Sequence, residues 1–185
     1  MSKKYLLFLL SVLAVGIAAI SRLVDHPANF APIGAIALLS GFYLKSKCSW
    51  LLPLAAMLIS DVFLGFYDLE VMFSVYASYF LIWVLGYLVS SAKTKWAVAP
   101  AALLGSSVHF LLTNAAVWAF TAMYPKTAGG LAMSYIMAIP FFKWTVLGDV
   151  LYTVLFIAII EGVKAVSLSA GHSRRADGLS PLINN

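Results

Sequence analysis

The fold is organised around the stretch His26-Pro27-Ala28-Asn29-Phe30-Ala31-Pro32-Ile33-Gly34, which separates two apolar runs. Pro27 and Pro32 each bias the preceding residue away from the helical region, so the stretch is predicted to be extended or re-entrant. Non-helical backbone near a membrane is tolerated only where protein or water satisfies its polar groups. The stretch is therefore either a plain loop outside the membrane or the edge of a binding cavity.

The composition indicates an integral membrane protein. Of the 185 residues, 63% are hydrophobic and 10% are charged, whereas soluble domains carry about 25% charged residues. The net charge of +5 does not predict a nucleic-acid partner, because the basic residues fall in short clusters between apolar runs. That pattern is typical of a membrane topology signal. The chain has one cysteine, Cys48, which excludes an internal disulfide and a multi-cysteine metal site. No metal or cofactor is predicted.

The apolar runs predict an all-α bundle of six transmembrane helices, since one span needs about 20 residues. The predicted ranges are 5–24, 32–44, 49–66, 71–90, 96–123 and 143–166, with a short extra helix over 131–142 in the last outer connection. The first run resembles a signal peptide, but it is long enough to span and no small-residue cleavage site follows it. We expect a membrane domain over residues 1–166 and a polar, disordered cytoplasmic tail over residues 167–185.

The basic residues predict that both termini lie in the cytoplasm. Three of the twelve lysines and arginines fall on the outer side: Arg22, Lys126 and Lys143. The other nine fall on the cytoplasmic side: Lys3, Lys4, Lys45, Lys47, Lys93, Lys95, Lys164, Arg174 and Arg175. The outer side then holds the stretch 26–32, the turn 65–70 and the long connection 124–142.

Two carboxylates fall inside predicted spans, Asp61 in the third helix and Asp149 in the sixth. An ionisable group in a span costs about 2.5–3.5 kcal/mol on insertion scales, so each should face the bundle interior or a wet cavity. Each is either a ligand contact or proton site, or a structural residue that pairs with Arg22 or Lys143. No nucleophile and base accompany them, so the chain is not expected to be an enzyme.

The fifth helix adds polar groups at mid-span. His109 lies in the small and polar segment 105–110, where polar side chains hydrogen-bond between helices. A lone buried histidine is more often a structural hydrogen-bonder than a ligand or proton site. Asn114 and Trp118 are four residues apart on one face, nearer the outside, and are better candidates for lining a cavity.

The turn after the third helix and the start of the fourth predict a wall for a small molecule. Gly65 permits a turn conformation that is closed to other residues. The side chains that would form this wall are Phe66, Tyr67, Asp68, Tyr76, Ser78 and Tyr79. Flat apolar surfaces with a few polar groups are typical of ligand sites. The alternative is an aromatic belt at the membrane interface.

Small residues recur four apart on the first two helices, at Ala14 and Ala18 and at Ala37 and Gly41. That spacing supports close packing with another helix and predicts a partner interface. The sequence has no phosphate-binding loop, zinc-protease motif or nucleophile elbow. Uphill transport would therefore need an energising ATPase partner or an ion gradient.

Motifs through nearly the whole chain resemble a bacterial membrane-protein family of unknown function. The residues that carry the resemblance are Arg22, His26, Pro27, Asn29, Phe30, Pro32–Ala35, Pro53–Met57, Ser60, Asp61, Gly65, Phe66, Asn114, Val117, Trp118, Tyr124, Pro125, Ile139–Phe142, Gly148 and Asp149. That family is in turn similar to the substrate-binding S-components of energy-coupling-factor vitamin transporters. The solitary cobalamin-uptake type is the nearest.

The resemblance implies a protein of the bacterial cytoplasmic membrane that binds a vitamin in a cavity open to the outside. The implied binding residues include His26, Asn29 and Phe30, together with the carboxylates and wall residues above. Some relatives of the cobalamin type ligate cobalt through a cysteine. This chain departs from that pattern, because Cys48 is on the predicted cytoplasmic side and the fourth helix has Ala77 and Ser78 instead. His26 could replace the cysteine, since imidazole suits such metals.

Three functional hypotheses follow. The first is a vitamin-uptake binding protein of the S-component type, with an ATPase module or a second copy of the chain as partner. The second is an ion- or proton-coupled carrier or channel that uses Asp61, His109 and Asp149. The third is a membrane assembly factor without a ligand.

Overall fold

The structure, a computed structural model, describes residues 3–25, 27, 29–44, 46–91 and 97–179, with side chains between residues 9 and 166. Within these residues the chain is helical and has no strand, which confirms the predicted all-α class. Six α-helices follow in order: α1 Lys3–Ser21, α2 Ile33–Leu39, α3 Leu51–Leu64, α4 Leu69–Val89, α5 Val98–Phe120 and α6 Ala128–Leu179. A π-helical turn, Ser40–Leu44, continues α2.

The ends of α3 and α4 follow from local chemistry. Pro53 lies in the first turn of α3, where a missing N–H costs no helical hydrogen bond. Gly65 ends α3 with a φ of 93°, in the region that favours glycine. The turn predicted at Gly65 is therefore confirmed, and it allows α4 to begin at Leu69.

The last helix differs from the prediction. A short helix over 131–142 and a separate sixth helix from 143 are predicted, because Pro140 should end a helix. The structure instead has one helix, α6, that runs from Ala128 through Pro140 to Leu179. The prediction of a separate short helix is thus wrong. Prolines are tolerated in membrane helices because neighbouring groups satisfy the freed backbone carbonyl. The sequence predicts a polar tail from residue 167, whereas the backbone of residues 167–179 is helical.

The small helix α2 is buried along its whole length. Its seven residues are all buried, and it packs against α3, α4 and α5. Ala37 is completely buried, and Gly41 lies so close to the backbone carbonyl of Trp83 that no Cβ would fit. Ala18 on α1 is also completely buried. These small residues pack inside the chain, so their assignment to a partner interface is corrected. Ala14 is partly exposed.

Among the described residues, three helices are long and apolar enough to cross a membrane, Leu69–Val89, Val98–Phe120 and Ala128–Val166. Shorter apolar helices cover Leu9–Ser21, Ile33–Leu44 and Leu51–Leu64. The 14 residues of α3 span roughly 21 Å, which is less than the roughly 30 Å hydrocarbon core of a bilayer. The long helices carry large exposed apolar side chains, as lipid-facing surfaces require.

The chain divides into two compact units, residues 1–153 and residues 154–185. The first unit contains α1 to α5, the first half of α6 and every polar centre described below. In the second unit, Lys164 pairs with Glu161 one helical turn earlier, over 2.7 Å.

Candidate functional site

The first candidate centre is built around Asp61, in the last turn of α3, and Arg22, which follows the end of α1. The Asp61 side chain is 1% exposed, and its Oδ1 lies 2.7 Å from the Arg22 guanidinium. The same guanidinium donates to the Ser60 hydroxyl and to the backbone carbonyl of Met57. A buried charge is costly unless it is paired and hydrogen-bonded. The observed contacts of Asp61 are therefore those of a structural ion pair with Arg22.

Two tyrosines complete the Asp61 centre. The Tyr76 hydroxyl on α4 donates to Asp61 Oδ2 over 2.8 Å. Tyr67 lies in the loop between α3 and α4, within electrostatic reach of Asp61. Partial burial, followed by the negative charge of Asp61, raises the pKa of Tyr67 from 10.0 to about 12. The structure thus brings together three predicted binding residues, Asp61, Tyr67 and Tyr76.

The second candidate centre is built around Asp149 on α6, which is 6% exposed. Its Oδ2 accepts a hydrogen bond from the Ser106 hydroxyl of α5 over 2.6 Å. Its Oδ1 packs against Gly34 of α2 so closely that a Cβ there would overlap it. Lys143, predicted as a structural partner, instead lies over the Trp144 ring at 5.3 Å. Across the described part of the chain, no basic side chain pairs with Asp149.

Residues 29–34 lie beside the Asp149 centre. Asn29 adopts a φ of 66°, which asparagine tolerates better than most residues, and the Phe30 amide donates to the Pro27 carbonyl over 3.0 Å. This turn places the Phe30 ring against Trp144 and Tyr152 of α6, with centroids 6.2 and 5.5 Å apart. Phe30 and Asp149 therefore lie in one region of the fold, since a Cβ at Gly148 would contact Phe30.

His109 forms a third polar group between α4 and α5. Its Nδ1 lies 2.7 Å from the Ser78 hydroxyl, which donates its own hydrogen to the Val75 carbonyl over 2.6 Å. Because a hydroxyl has one hydrogen, the imidazole is the donor in the contact with Ser78. Tyr79 packs on the imidazole ring with centroids 5.0 Å apart. His109 and Ser78 are both buried, so this contact joins helices, which is the structural role predicted for the histidine.

A groove of about 540 Å³ opens between the start of α4 and the end of α5. We call this cavity the outer groove. Its lining residues are Leu69, Glu70, Met72, Phe73, Tyr76 and Phe120. Tyr76 belongs to both the outer groove and the Asp61 centre, because its ring lines the groove and its hydroxyl bonds to the carboxylate. The outer groove is therefore an apolar surface with a hydrogen-bonded charge pair behind it.

Several predicted binding residues do not join these centres. The Asn114 amide donates to the Phe110 carbonyl of its own helix, and the Trp118 indole donates to the Pro125 carbonyl over 3.0 Å. Asn114 thus bonds within α5, and Trp118 links the end of α5 to the chain that follows it. Phe66 and Asp68 are exposed in the loop after α3 and do not line the outer groove. His26 lies outside the described residues.

Sequence reasoning did not select Ser106, Gly34 or five of the six residues that line the outer groove as binding residues. Ser106 precedes His109 by three residues on α5, so helical periodicity places both on one face. That spacing could have identified Ser106 as a residue that faces the interior of the bundle. The apolar lining residues Leu69, Met72, Phe73 and Phe120 look like lipid-facing side chains in the sequence, and no pattern separates them from the others.

The described residues contain no group of three or more His, Cys, Asp or Glu side chains that could hold a metal ion. Cys48 is exposed, with no disulfide partner. The chemistry of the described centres is therefore hydrogen bonding, ion pairing and apolar contact.

Residues 2–170 match the model of one protein family, described as a family of unknown function, DUF6580. No curated protein and no solved structure matches the chain. The family match covers every helix as far as the late part of α6 and includes both buried carboxylates. The prediction of an uncharacterised family is confirmed, and the chain belongs to the family of unknown function DUF6580.

Proposed function

We propose that this protein binds a vitamin-like small molecule for uptake across a bacterial cytoplasmic membrane, as an S-component-type binding protein. The observation that carries the proposal is the double role of Tyr76, which lines the outer groove and hydrogen-bonds to Asp61. Ligand sites are concave and mostly apolar, with a few placed polar groups and volumes of about 300–1,000 Å³. The outer groove has this character.

The proposal includes six spans with both termini in the cytoplasm. Arg22 at the end of α1 contacts Asp61 near the end of α3, and Tyr76 reaches the same carboxylate from early in α4. Phe120, the last residue of α5, shares the outer groove with Leu69, the first residue of α4. The ends of α1, α3 and α5 thus meet the start of α4, which supports an alternating topology. The scarcity of basic residues near these ends supports an outward-facing groove.

Cobalamin is one candidate within the vitamin-like class. Ser78, the α4 residue near which a cobalt-ligating cysteine is expected, is fully buried and engaged with His109. It does not line the outer groove. These contacts favour a ligand that is recognised by apolar surface and hydrogen bonds over one held by a bond from α4 to a metal.

Native mass spectrometry of the purified full-length protein tests the proposal. We expect a small molecule to co-purify with the wild type. Tyr76→Phe should release much of it, because the variant lacks the hydroxyl that connects the outer groove to Asp61. Tyr87→Phe is the matched control, since Tyr87 lies on the same helix, outside the outer groove, and stacks on Trp83. An empty wild-type protein that also binds no B-type vitamin added from solution would refute the proposal.

A second candidate function is supported by the Asp149 centre. This carboxyl group is buried in a candidate span without a basic partner among the described residues, whereas Asp61 has one. An intramembrane carboxyl group of that kind is the usual element of a proton or cation pathway. Proton or sodium flux into liposomes that contain only this protein, abolished by Asp149→Asn and retained in Asp61→Asn, would favour a coupled carrier. No flux in the wild type would exclude it.

A further inference from the structure

Among the described residues that line the outer groove, one carries a formal charge, and that charge is negative. This residue is Glu70, which lies in the first turn of α4, where the helix dipole favours an anionic side chain. Three of the other lining residues are aromatic: Phe73, Tyr76 and Phe120. The rings and the carboxylate thus share one concave surface.

Two cations at the ends of neighbouring helices, Arg22 and Lys126, are engaged elsewhere. Arg22 is paired with Asp61, on the far side of the Tyr76 hydroxyl. Lys126 donates to the backbone carbonyls of Trp118 and Thr121, and so neutralises the carbonyl end of α5. Neither lines the outer groove. The groove therefore offers a negative carboxylate and no described basic group to a ligand.

Aromatic faces attract cations because the ring quadrupole places negative charge on each face. An anion in the same position would be repelled by the Glu70 carboxylate and by each ring face that it contacts. We propose that the outer groove selects positively charged aromatic or amphipathic molecules over anionic ones. The proposal rests on the small-molecule binding function and names the charge class of its ligand.

Two probes of matched shape test this charge preference: tetraphenylphosphonium, which is a cation, and tetraphenylborate, which is an anion. Binding is measured by equilibrium dialysis with the full-length protein in a neutral detergent, after subtraction of probe taken up by protein-free micelles. We expect the phosphonium to bind about tenfold more tightly than the borate, since the carboxylate and the rings act in the same direction.

Two variants assign the preference to the groove. Glu70→Gln should lower phosphonium affinity about fivefold, because an exposed charge contact is lost, and should not weaken borate binding. Phe120→Leu should lower phosphonium affinity about threefold, because apolar volume is kept and a cation-binding ring face is removed. Asp25→Asn is the control, since Asp25 is an exposed carboxylate outside the groove, and should change neither affinity.

Equal binding of the two probes, or tighter binding of the borate, would overturn the charge preference. The charge preference would also be overturned if Glu70→Gln changed the phosphonium and borate affinities equally, or changed neither of them. A neutral or anionic molecule that co-purifies with the wild type and is released by Tyr76→Phe would also overturn it, while the proposed binding function would stand. If the protein holds no co-purified molecule, no added vitamin and neither probe, both proposals fail.

Discussion

Asp61 and Asp149 occur in similar local sequences and are both buried, but the fold stabilises them in opposite ways. Asp61 lies 2.7 Å from the Arg22 guanidinium and accepts a hydrogen bond from Tyr76. Asp149 accepts a hydrogen bond from Ser106 and packs against Gly34, with no described cation beside it. The comparison separates a carboxylate that the fold pairs with a cation from a carboxyl group that has no cationic partner among the described residues.

The position of each residue along its helix explains the difference. Asp61 is three residues before the end of α3, where Arg22 can reach it and still keep 19% of its side chain exposed. A long basic side chain can extend towards the interface in this way. Asp149 instead faces α2 and α5, and the residues opposite it are Gly34 and Ser106. The described groups opposite Asp149 are therefore a hydroxyl and a glycine backbone.

The largest expected effect is that of Asp61→Asn. The change removes one charge of a buried ion pair and strands the Arg22 guanidinium, which costs about 3–5 kcal/mol. We expect a clear loss in the free energy of unfolding, measured by SDS titration in mixed micelles. The double variant Arg22→Met with Asp61→Asn should recover part of the loss, since no charge is then stranded. An equally unstable double variant would show that the pair is not the cause.

Gly34→Ala should have the next largest effect, because the new Cβ would overlap the Asp149 carboxylate. Overpacking of a tight core costs about 1–3 kcal/mol. Gly16→Ala on α1 is the control, since nothing lies within 4 Å of a Cβ at that position. There the higher helix propensity of alanine should be neutral or stabilising. Equal melting temperatures for the two variants would mean that α2 does not approach Asp149 as described.

Ser106→Ala should have a moderate effect. It removes the only side-chain hydrogen bond that the described structure gives Asp149, and we expect a loss of about 1–2 kcal/mol in the free energy of unfolding. Ser107→Ala is the neighbouring control, because the Ser107 hydroxyl bonds only to the Leu103 carbonyl of its own helix. Equal losses of stability in the two variants would show that the hydrogen bond from Ser106 on α5 to Asp149 on α6 does not contribute to stability.

Asp149→Asn should have the smallest effect on stability, less than about 1 kcal/mol, because no described cation is stranded and the amide oxygen still accepts from Ser106. The contrast with Asp61→Asn is the most direct test of the comparison. A loss of 3–5 kcal/mol, as expected for a broken buried pair, would reveal a cationic partner for Asp149. If the second candidate function holds, flux is lost in Asp149→Asn while the melting temperature is kept.

The prediction from sequence is correct where chemistry is local. The helical class, the proline in the first turn of α3 and the turn at Gly65 all follow from single residues and their neighbours. The prediction of a separate helix before residue 143 is wrong. The effect of Pro140 depends on whether other groups hydrogen-bond to the backbone carbonyl that it leaves unpaired.

The candidate site was predictable only in part. A charge in an apolar run must face the interior, so Asp61 and Asp149 are identified from the sequence as interior residues. Asn114 and Trp118 fit a cavity equally well in the sequence, but their side chains bond to nearby backbone. Helical periodicity gives the face of a residue, whereas the choice between a local and a distant partner depends on the helix that lies opposite.

The sequence by itself determined the apolar, all-helical class, the turn after α3 and the two interior carboxylates, because each depends on composition or on neighbours within one helical turn. Only the tertiary structure decided that α2 is a buried central helix, that Arg22 pairs with Asp61, and that Asp149 meets a glycine and a serine. The physical reason is that an ion pair, a close approach and a groove need two or more helices. The distances between those helices are fixed by packing and not by local sequence.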